Sequence, residues 1–548
     1  MARREPPRRA NEAGVQAAPE AAFPLGRVYW LLLLAAYAFF LFHRIDLTTA
    51  DLGRHLKNGE WFWTHRRIPA TNFYSYTFPD FPVVNHHWGG GVLFYLVWTL
   101  AGFPGLSWMF AALSLGTFAL FYRVAEREGG SGPALLAALL VLPLLTERLE
   151  IRPEAFSYLF CGVFFSLLWK ERREPAPRLL WLLPALEVAW VNCHIYFFLG
   201  PLLVGLFWLD ALLQGRPAAQ SRRLLLLLCA VAAAALASPF GLHGALAPLE
   251  IFHNYAYKIM ENQSILTLIR TSRARPNVPW FLLVFALAAA SFVFAFLREG
   301  RRPAPVVLLL AAAFSAAGWA ALRNLTLFGF FLLPVLAINL REAFGERGER
   351  SIKGKWVLAG SISIVLLFLA LQRDVLGAQA REFGAGLLPG NLRSIEYFRE
   401  NRLHGPVMNN YDIGGYLIFA LPETERVYVD NRPEAYPGSF LTDTYIRMQT
   451  DEAVWSKEDE RWHFNVICFY YHEDSRRSVR FLESRLHDPE WAPVYVDPRV
   501  LILLRRTPEN EALIRRDEIP RSRFVVRAQP ARNLSQTWRR LGPSNSAK

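Results

Sequence analysis

The chain reads as a multi-pass α-helical membrane protein of about eleven spans, followed by a soluble C-terminal α/β domain. Three observations predict this. The 548 residues are 53% hydrophobic and 14% aromatic, with a positive mean hydropathy, too apolar for a soluble enzyme of this length. The apolar residues fall in long runs that end near Leu371. Beyond them the text becomes ordinary globular sequence.

The N-terminal segment 1–26 is rich in Arg, Pro and Ala and reads as a disordered cytoplasmic arm. Residues 28–42 exceed a signal-peptide core and lack a cleavage site, so they read as an anchor helix. Candidate spans are 27–45, 105–123, 133–147, 153–170, 179–192, 194–213, 222–238, 279–297, 304–320, 322–341 and 355–372. Segment 88–102 (WGGGVLFYLVWTLAG) is short and glycine-rich and ends in a tight FPG turn. It reads as a juxtamembrane or half-inserted helix. Counting it as a span would place the basic KERREPAPR and QGRPAAQSRR outside. With it excluded, MARREPPRR, RVAEREGGSG, KERREPAPR, QGRPAAQSRR, LREGRRPAP and REAFGERGERSIKGK all fall in the cytoplasm. The N-terminus is then inside, the C-terminal domain extracytoplasmic, and the location the plasma (inner) membrane.

The same clustering accounts for the formal charge of +13 and removes the case for a nucleic-acid partner. The four cysteines (Cys161, Cys193, Cys229 and Cys468) have no metal-ligand spacing and imply no disulfide framework.

This threading gathers the unusual polar residues on the outer face. The first outer loop, within 46–102, packs acids, histidines and aromatics against a membrane helix. Asp46 and Asp51 lie just past the first span. A carboxylate partly desolvated there is raised toward neutrality and can deprotonate a hydroxyl. The competing reading is a helix cap, with Thr48, Thr49 or Asp51 ahead of LGRHLKNGEW. His55, His86 and His87 share the loop, and His194 approaches from another. Their spacing is not that of a metal site, and contact with a phosphate or sugar is the simpler expectation. Trp88 and its aromatic neighbours suit either an interfacial belt or a sugar-stacking surface. Arg152, between Glu150 and Glu154, is placed to fork onto a phosphate or to pair locally. Arg323, beside Asn324 at a helix start, favours an anion. Glu187, inside an apolar helix, is a functional candidate because a buried charge there is costly. It stands a turn from Asn192 and the outer interface.

From about 386 to 506 helices and strands alternate: helix NLRSIEYFREN, strand PVMNNYD, helical YLIFAL, strand RVYVDNR, a polar helix around 451–462, strand NVICFYY, helix SVRFLESRL, then strands APVYVD and VLILLRR. Asp412, Gly414, Gly415, Asp430, Asn431 and Arg432 sit at strand tips, where ligands bind in such sheets. No phosphate-cradling G-x-G-x-x-G is present, and the domain reads as structural or acceptor-recognising. The stretch 517–548 reads as a flexible basic tail.

Several segments carry a family resemblance: Asp51–Trp61, Ile68–Thr77, Asn85–Trp88, RPEAFSYLF (Arg152–Phe160), WVNCHIYFFLG (Trp190–Gly200), SPFG (Ser238–Gly241), RNLTLFGFFLLP (Arg323–Pro334), NNYDIGGYLIF (Asn409–Phe419) and VYVDNRPEAY (Val427–Tyr436). In this order they resemble the GT-C class of membrane glycosyltransferases, within a large bacterial set. The resemblance runs from about residue 30 to 505. It implies transfer of a sugar from a polyprenyl-phosphate donor, with a glycan, lipid or protein acceptor entering from outside among the membrane lipids. It maps the catalytic carboxylate onto Asp51, with Asp46 as second candidate. An inverting reaction would use Asp51 as general base, with Arg152, Arg323 and His55 on the donor phosphate. His86, His87, Trp88, Asn192, His194 and Glu187 would line the substrate site. Where members of the set carry an acid after the His-Trp pair, Gly89–Gly90–Gly91 follows here. No metal ligands are assigned, and a divalent cation stays open as cofactor. The rival expectation is a lipid or glycan transporter or a non-catalytic scaffold, which should show inverted repeats or no enclosed outer cavity.

Overall fold

The computed structural model describes residues 24–174, 177–254, 260–271, 277–299, 303–351, 355–472 and 476–524. The expected N-terminal arm up to residue 23 and the tail beyond 524 lie outside the described residues.

Helices stand at the predicted positions: α1 (Pro24–Leu41), α2 (Leu52–His65), α3 (Trp88–Gly129), α4 (Ser131–Leu145) and α5 (Glu154–Arg173), then Leu183–Cys193, Leu199–Leu213, Ala218–Ala234, Asn277–Glu299, Pro305–Ala320, Leu325–Ser351 and Lys355–Leu371. Among the described residues four are long and apolar enough to cross a membrane: Trp88–Gly129, Ile195–Leu213, Asn277–Leu297 and Leu322–Ala343. A fifth arises if Val357–Leu371 and Arg373–Glu382, bent by 78°, count as one span. Val28–Leu41, Ser131–Leu145 and Pro305–Ala320 are apolar but shorter. Helix Leu183–Cys193, within the expected span 179–192, has only 11 residues. At 1.5 Å per residue it reaches about 16 Å, half of a hydrocarbon core. Leu31, Leu297 and Leu366 are 63%, 74% and 60% exposed on helix faces, which suits lipid rather than water. The chain is a multi-pass membrane protein.

Segment 88–102 is helical up to Gly102, where φ turns to 61° and the helix breaks before Pro104. Only glycine adopts that angle without strain, so the expected FPG turn is a kink between two helical halves. The glycines before it serve close packing. A β-carbon at Gly89 would stand 2.7 Å from the Asn192 carbonyl oxygen, and one at Gly91 2.8 Å from that of His55. A β-carbon at Gly59 would collide with the Gly91 carbonyl, so α2 and α3 meet backbone to backbone. Gly59→Val is therefore expected to cost about 1–3 kcal/mol. Thermal unfolding in detergent checks it, and an unchanged midpoint would show that the two helices part freely.

The C-terminal unit holds a four-stranded mixed sheet in the order β1 (Val407–Asn409), β2 (Val466–Tyr470), β4 (Val500–Arg505), β3 (Trp491–Val496). β1 pairs parallel with β2, and the other pairs are antiparallel. The expected strand RVYVDNR does not form a full ladder. Val427 makes single bridges, to β1 at Val407 and to Ser75 of the first loop. Tyr76 N–H donates to the Val427 carbonyl at 3.2 Å, and Val427 N–H to that of Tyr74 at 3.1 Å. The first loop thus continues the sheet edge, and the unit is not closed on its own.

The junction is sealed by close approach and by a buried ion pair. Gly53 of α2 lies against Gly415, where a β-carbon would sit 2.8 Å from the carbonyl oxygen. Asp430, fully buried, takes both Nε and Nη2 of Arg432 at 2.7 Å. Arg432 also reaches Asn72 Oδ1 of the first loop at 2.5 Å.

Candidate active site

Asp51 occupies the N-cap position of α2, yet its side chain makes no capping hydrogen bond. The carboxylate turns instead to Arg152 Nη1 at 3.3 Å and Arg54 Nη2 at 3.7 Å, and it accepts a hydrogen bond from Asn431 Nδ2. Asp51 is held by charge and by an amide donor.

Arg152 opens a larger network. It pairs with Glu150 at 2.6 Å and with Glu261 at 3.1 Å. Glu261 also pairs with Arg148, which holds Glu154 through Nε at 2.7 Å and Nη2 at 2.9 Å. Glu154 in turn pairs with Arg323, which donates to Asn262 Oδ1 at 3.1 Å and lies 5.6 Å from the Tyr196 ring centroid. Burial works against charge at Glu261, but Arg148, Arg152 and Arg323 outweigh it and hold the carboxyl below its usual range. Arg54, Arg148, Arg152 and Arg323 thus match Asp51, Glu150, Glu154 and Glu261, so opposite charges balance inside a partly dry site. The Arg323 Nε is buried with no hydrogen-bond partner.

Beside this network the histidines assemble as a cluster of edge-on and tilted rings. Ring centroids are 5.4 Å apart for His55 and His87, 5.1 Å for His87 and His194, and 6.5 Å for His86 and His87. The Trp190 indole N–H, a donor only, reaches Ser157 Oγ at 2.7 Å. The Tyr196 N–H donates to His194 Nδ1 at 3.4 Å, so that nitrogen is the acceptor; Ser157 donates its own proton to it at 2.8 Å, which leaves the His194 proton on Nε2. Among the described residues no group of three or more His, Cys, Asp or Glu is placed to hold a metal ion.

His55 Nδ1 and His86 Nε2 are buried without partners. Burial, followed by the charges of Arg54 and Arg152, pushes His55 well below its ordinary value. Burial, with His243 nearby, lowers His86 to about 4. Between that value and about 6.5 the unfolded chain binds a proton at His86 that the folded chain refuses. This contribution to stability is complete above the unfolded value and is lost as pH falls toward the folded one. Wild type is expected to lose roughly 3 kcal/mol more than His86→Gln on acidification. Unfolding midpoints between neutral and acidic pH check this, and parallel profiles would refute it.

Other expected site residues lie elsewhere. Asp46 accepts from Asn391 Nδ2 at 2.9 Å and from Arg499 Nε at 2.8 Å, tying the loop to the C-terminal unit away from Asp51. Trp88 Nε1 donates to Asn192 Oδ1 at 2.8 Å, and the Asn192 amide donates to the carbonyls of Val188 and Ala237. This pair locks α3 to helix Leu183–Cys193. Glu187 is fully buried against Gly200, and neither carboxyl oxygen has a hydrogen-bond partner. It does not reach the outer interface as expected. Arg54, Arg148 and Glu261 were not singled out from the sequence. Glu261 lies on the short turn Met260–Asn262, which no sequence motif includes.

The geometry can be set beside known proteins. An apo crystal structure of the oligosaccharyltransferase from Archaeoglobus fulgidus aligns with a TM-score of 0.56, covering 83% of this chain and 71% of that one at 13% identity. The oligosaccharyltransferase AglB from the same organism, in complex with an inhibitory peptide and a dolichol-phosphate, aligns with a TM-score of 0.57, covering 86% and 73% at 13% identity. This chain has a GT-C fold. ArnT from Cupriavidus metallidurans, bound to undecaprenyl phosphate, aligns at 0.49 and 12% identity over 89% and 99%, too distant to argue from. No family model and no curated protein sequence matches. At these identities the likeness is one of fold.

Proposed function

We propose that the chain is a membrane glycosyltransferase that moves a sugar from a polyprenyl-phosphate donor to an acceptor hydroxyl or amide at the outer face. One observation carries this reading. Asp51, at a helix N-cap, has its side chain committed to a network that also contains Arg152 and Arg323. In the reaction Asp51 takes the acceptor proton and the acceptor heteroatom attacks the anomeric carbon. The bond from that carbon to the phosphate oxygen breaks, and its electron pair leaves with the lipid phosphate. Inversion follows from attack opposite the leaving group. Arg152 is the natural phosphate ligand, because its partner Glu150 is 51% exposed and easily displaced. The unpartnered Arg323 Nε offers a second donor. The fold supports a lipid-linked donor, since the aligned archaeal enzyme was captured with dolichol-phosphate. The basic cytoplasmic loops support about eleven spans with the C-terminal unit outside.

The test uses purified full-length protein in right-side-out and inverted vesicles, with labelled polyprenyl-phosphate sugars and an outside acceptor. Transfer, or donor hydrolysis, in right-side-out vesicles is the expected result. Absence of both donor binding and turnover with every sugar tried would sink the proposal.

A further inference from the structure

A cleft of about 240 Å³ lies between the first loop and the C-terminal unit, outside the arginine network. Phe78 of the loop faces Phe440, Asp443, Glu458, Arg461 and Trp462. Phe440 and Asp443 lie on a π-helical turn, Phe440–Tyr445. Such turns are rare and recur at functional sites, because the extra residue re-aims side chains. Glu458 is only 5% exposed, and its Oε2 accepts from the Tyr428 hydroxyl at 2.8 Å and the Trp462 indole at 3.1 Å. The indole is thereby fixed in place, with Arg461 stacked 4.8 Å from its centroid. Phe78 and Phe440 meet edge to face at 4.9 Å.

We propose that this cleft is a carbohydrate-binding subsite that takes a single sugar ring. Drug-sized ligands need roughly 300–1,000 Å³, so the space suits one small ring. Aromatic walls offer faces for the ring's C–H bonds, and Asp443, Glu458 and Arg461 offer acceptors and donors for its hydroxyls. Two carboxylates beside one guanidinium disfavour a free phosphate, and the same charges disfavour a lipid tail. The cleft is also linked to Asp51. The segment that begins at Tyr428, bonded to Glu458, carries Asn431, bonded to Asp51. Three residues span at most about 10 Å. If the transferase reading holds, the bound ring belongs to the acceptor, at a distance from the reacting group. Binding itself does not depend on that reading.

Detergent-solubilised full-length protein is titrated with the methyl glycosides of glucose, galactose, mannose, N-acetylglucosamine and arabinose. Binding is followed by saturation-transfer NMR and tryptophan fluorescence. At least one glycoside is expected to bind, about tenfold more weakly to Trp462→Ala and also more weakly to Asp443→Ala. Asp51→Asn should bind it as wild type does. Asp443 is exposed, so its variant stays informative even if Trp462→Ala misfolds. No binding by any glycoside, or unchanged binding to folded Asp443→Ala and Trp462→Ala, overturns the proposal. Glycoside binding by a protein that neither binds nor turns over any polyprenyl-phosphate sugar would leave the subsite standing and remove the transferase function.

Discussion

Asp51→Asn is expected to lower sugar transfer by about a hundred- to ten-thousandfold, the usual worth of a general base, in a protein that stays folded. Asparagine keeps the shape and the N-cap position while removing the group that accepts the proton. The fold should survive for two reasons. The Asp51 side chain makes no cap bond, and Arg152 keeps Glu150 and Glu261 as partners. The loss should appear in kcat at saturating donor, with the unfolding midpoint within a few degrees of wild type. Asp46→Asn provides the contrast. It breaks the link to Arg499 and should shift the midpoint more than kcat. Full transfer activity in folded Asp51→Asn would remove this residue from the mechanism.

Arg432→Ala is expected to destabilise the protein by about 3–5 kcal/mol, the cost of leaving a buried charge unpaired. Asp430 is fully buried, and although burial opposes its charge, Arg432 holds its carboxyl below the ordinary range. Removing the guanidinium leaves Asp430 only neutral donors, the Tyr436 hydroxyl at 2.9 Å and the backbone N–H of residue 432 at 3.1 Å. It also removes one of the two side-chain bonds of Asn72, whose amide still donates to the Ala435 carbonyl at 3.0 Å, and so loosens the first loop. Because Asn431 stands between the paired residues and holds Asp51, activity should fall along with stability. Thermal unfolding and limited proteolysis of the 66–87 segment measure the two effects. Asp430→Asn combined with Arg432→Ala should recover part of the loss, since no unpaired charge remains. A wild-type midpoint in Arg432→Ala would mean that the pair contributes nothing net.

Much of the scaffold is local in origin and was therefore legible in the sequence. Apolar runs set the helices, and alternating short runs set β1 to β4. Glycine at 102 before Pro104 set the kink in α3. Arg152, Arg323 and Asp51, whose loops the positive-inside pattern assigns to one side, share one ion-pair network. What joins them was not legible. Asp51 meets Asn431 across 380 positions, and Arg152 meets Glu261 across 109. Trp88 and Asn192 looked like substrate contacts but satisfy each other and the backbone, which no local pattern reveals.

The loop between the first helix and Trp88 marks the division most clearly. By itself the sequence determined that the loop is polar, aromatic and histidine-rich, and that it follows a membrane helix. Composition and periodicity are properties of neighbouring residues, so one chain suffices to read them. Only the tertiary structure decided that Asp51 serves the arginine network while Asp46 clips the domains, and that the loop completes the C-terminal sheet edge. Those outcomes depend on which distant charge neutralises which carboxylate, a choice made by packing after the local elements have formed.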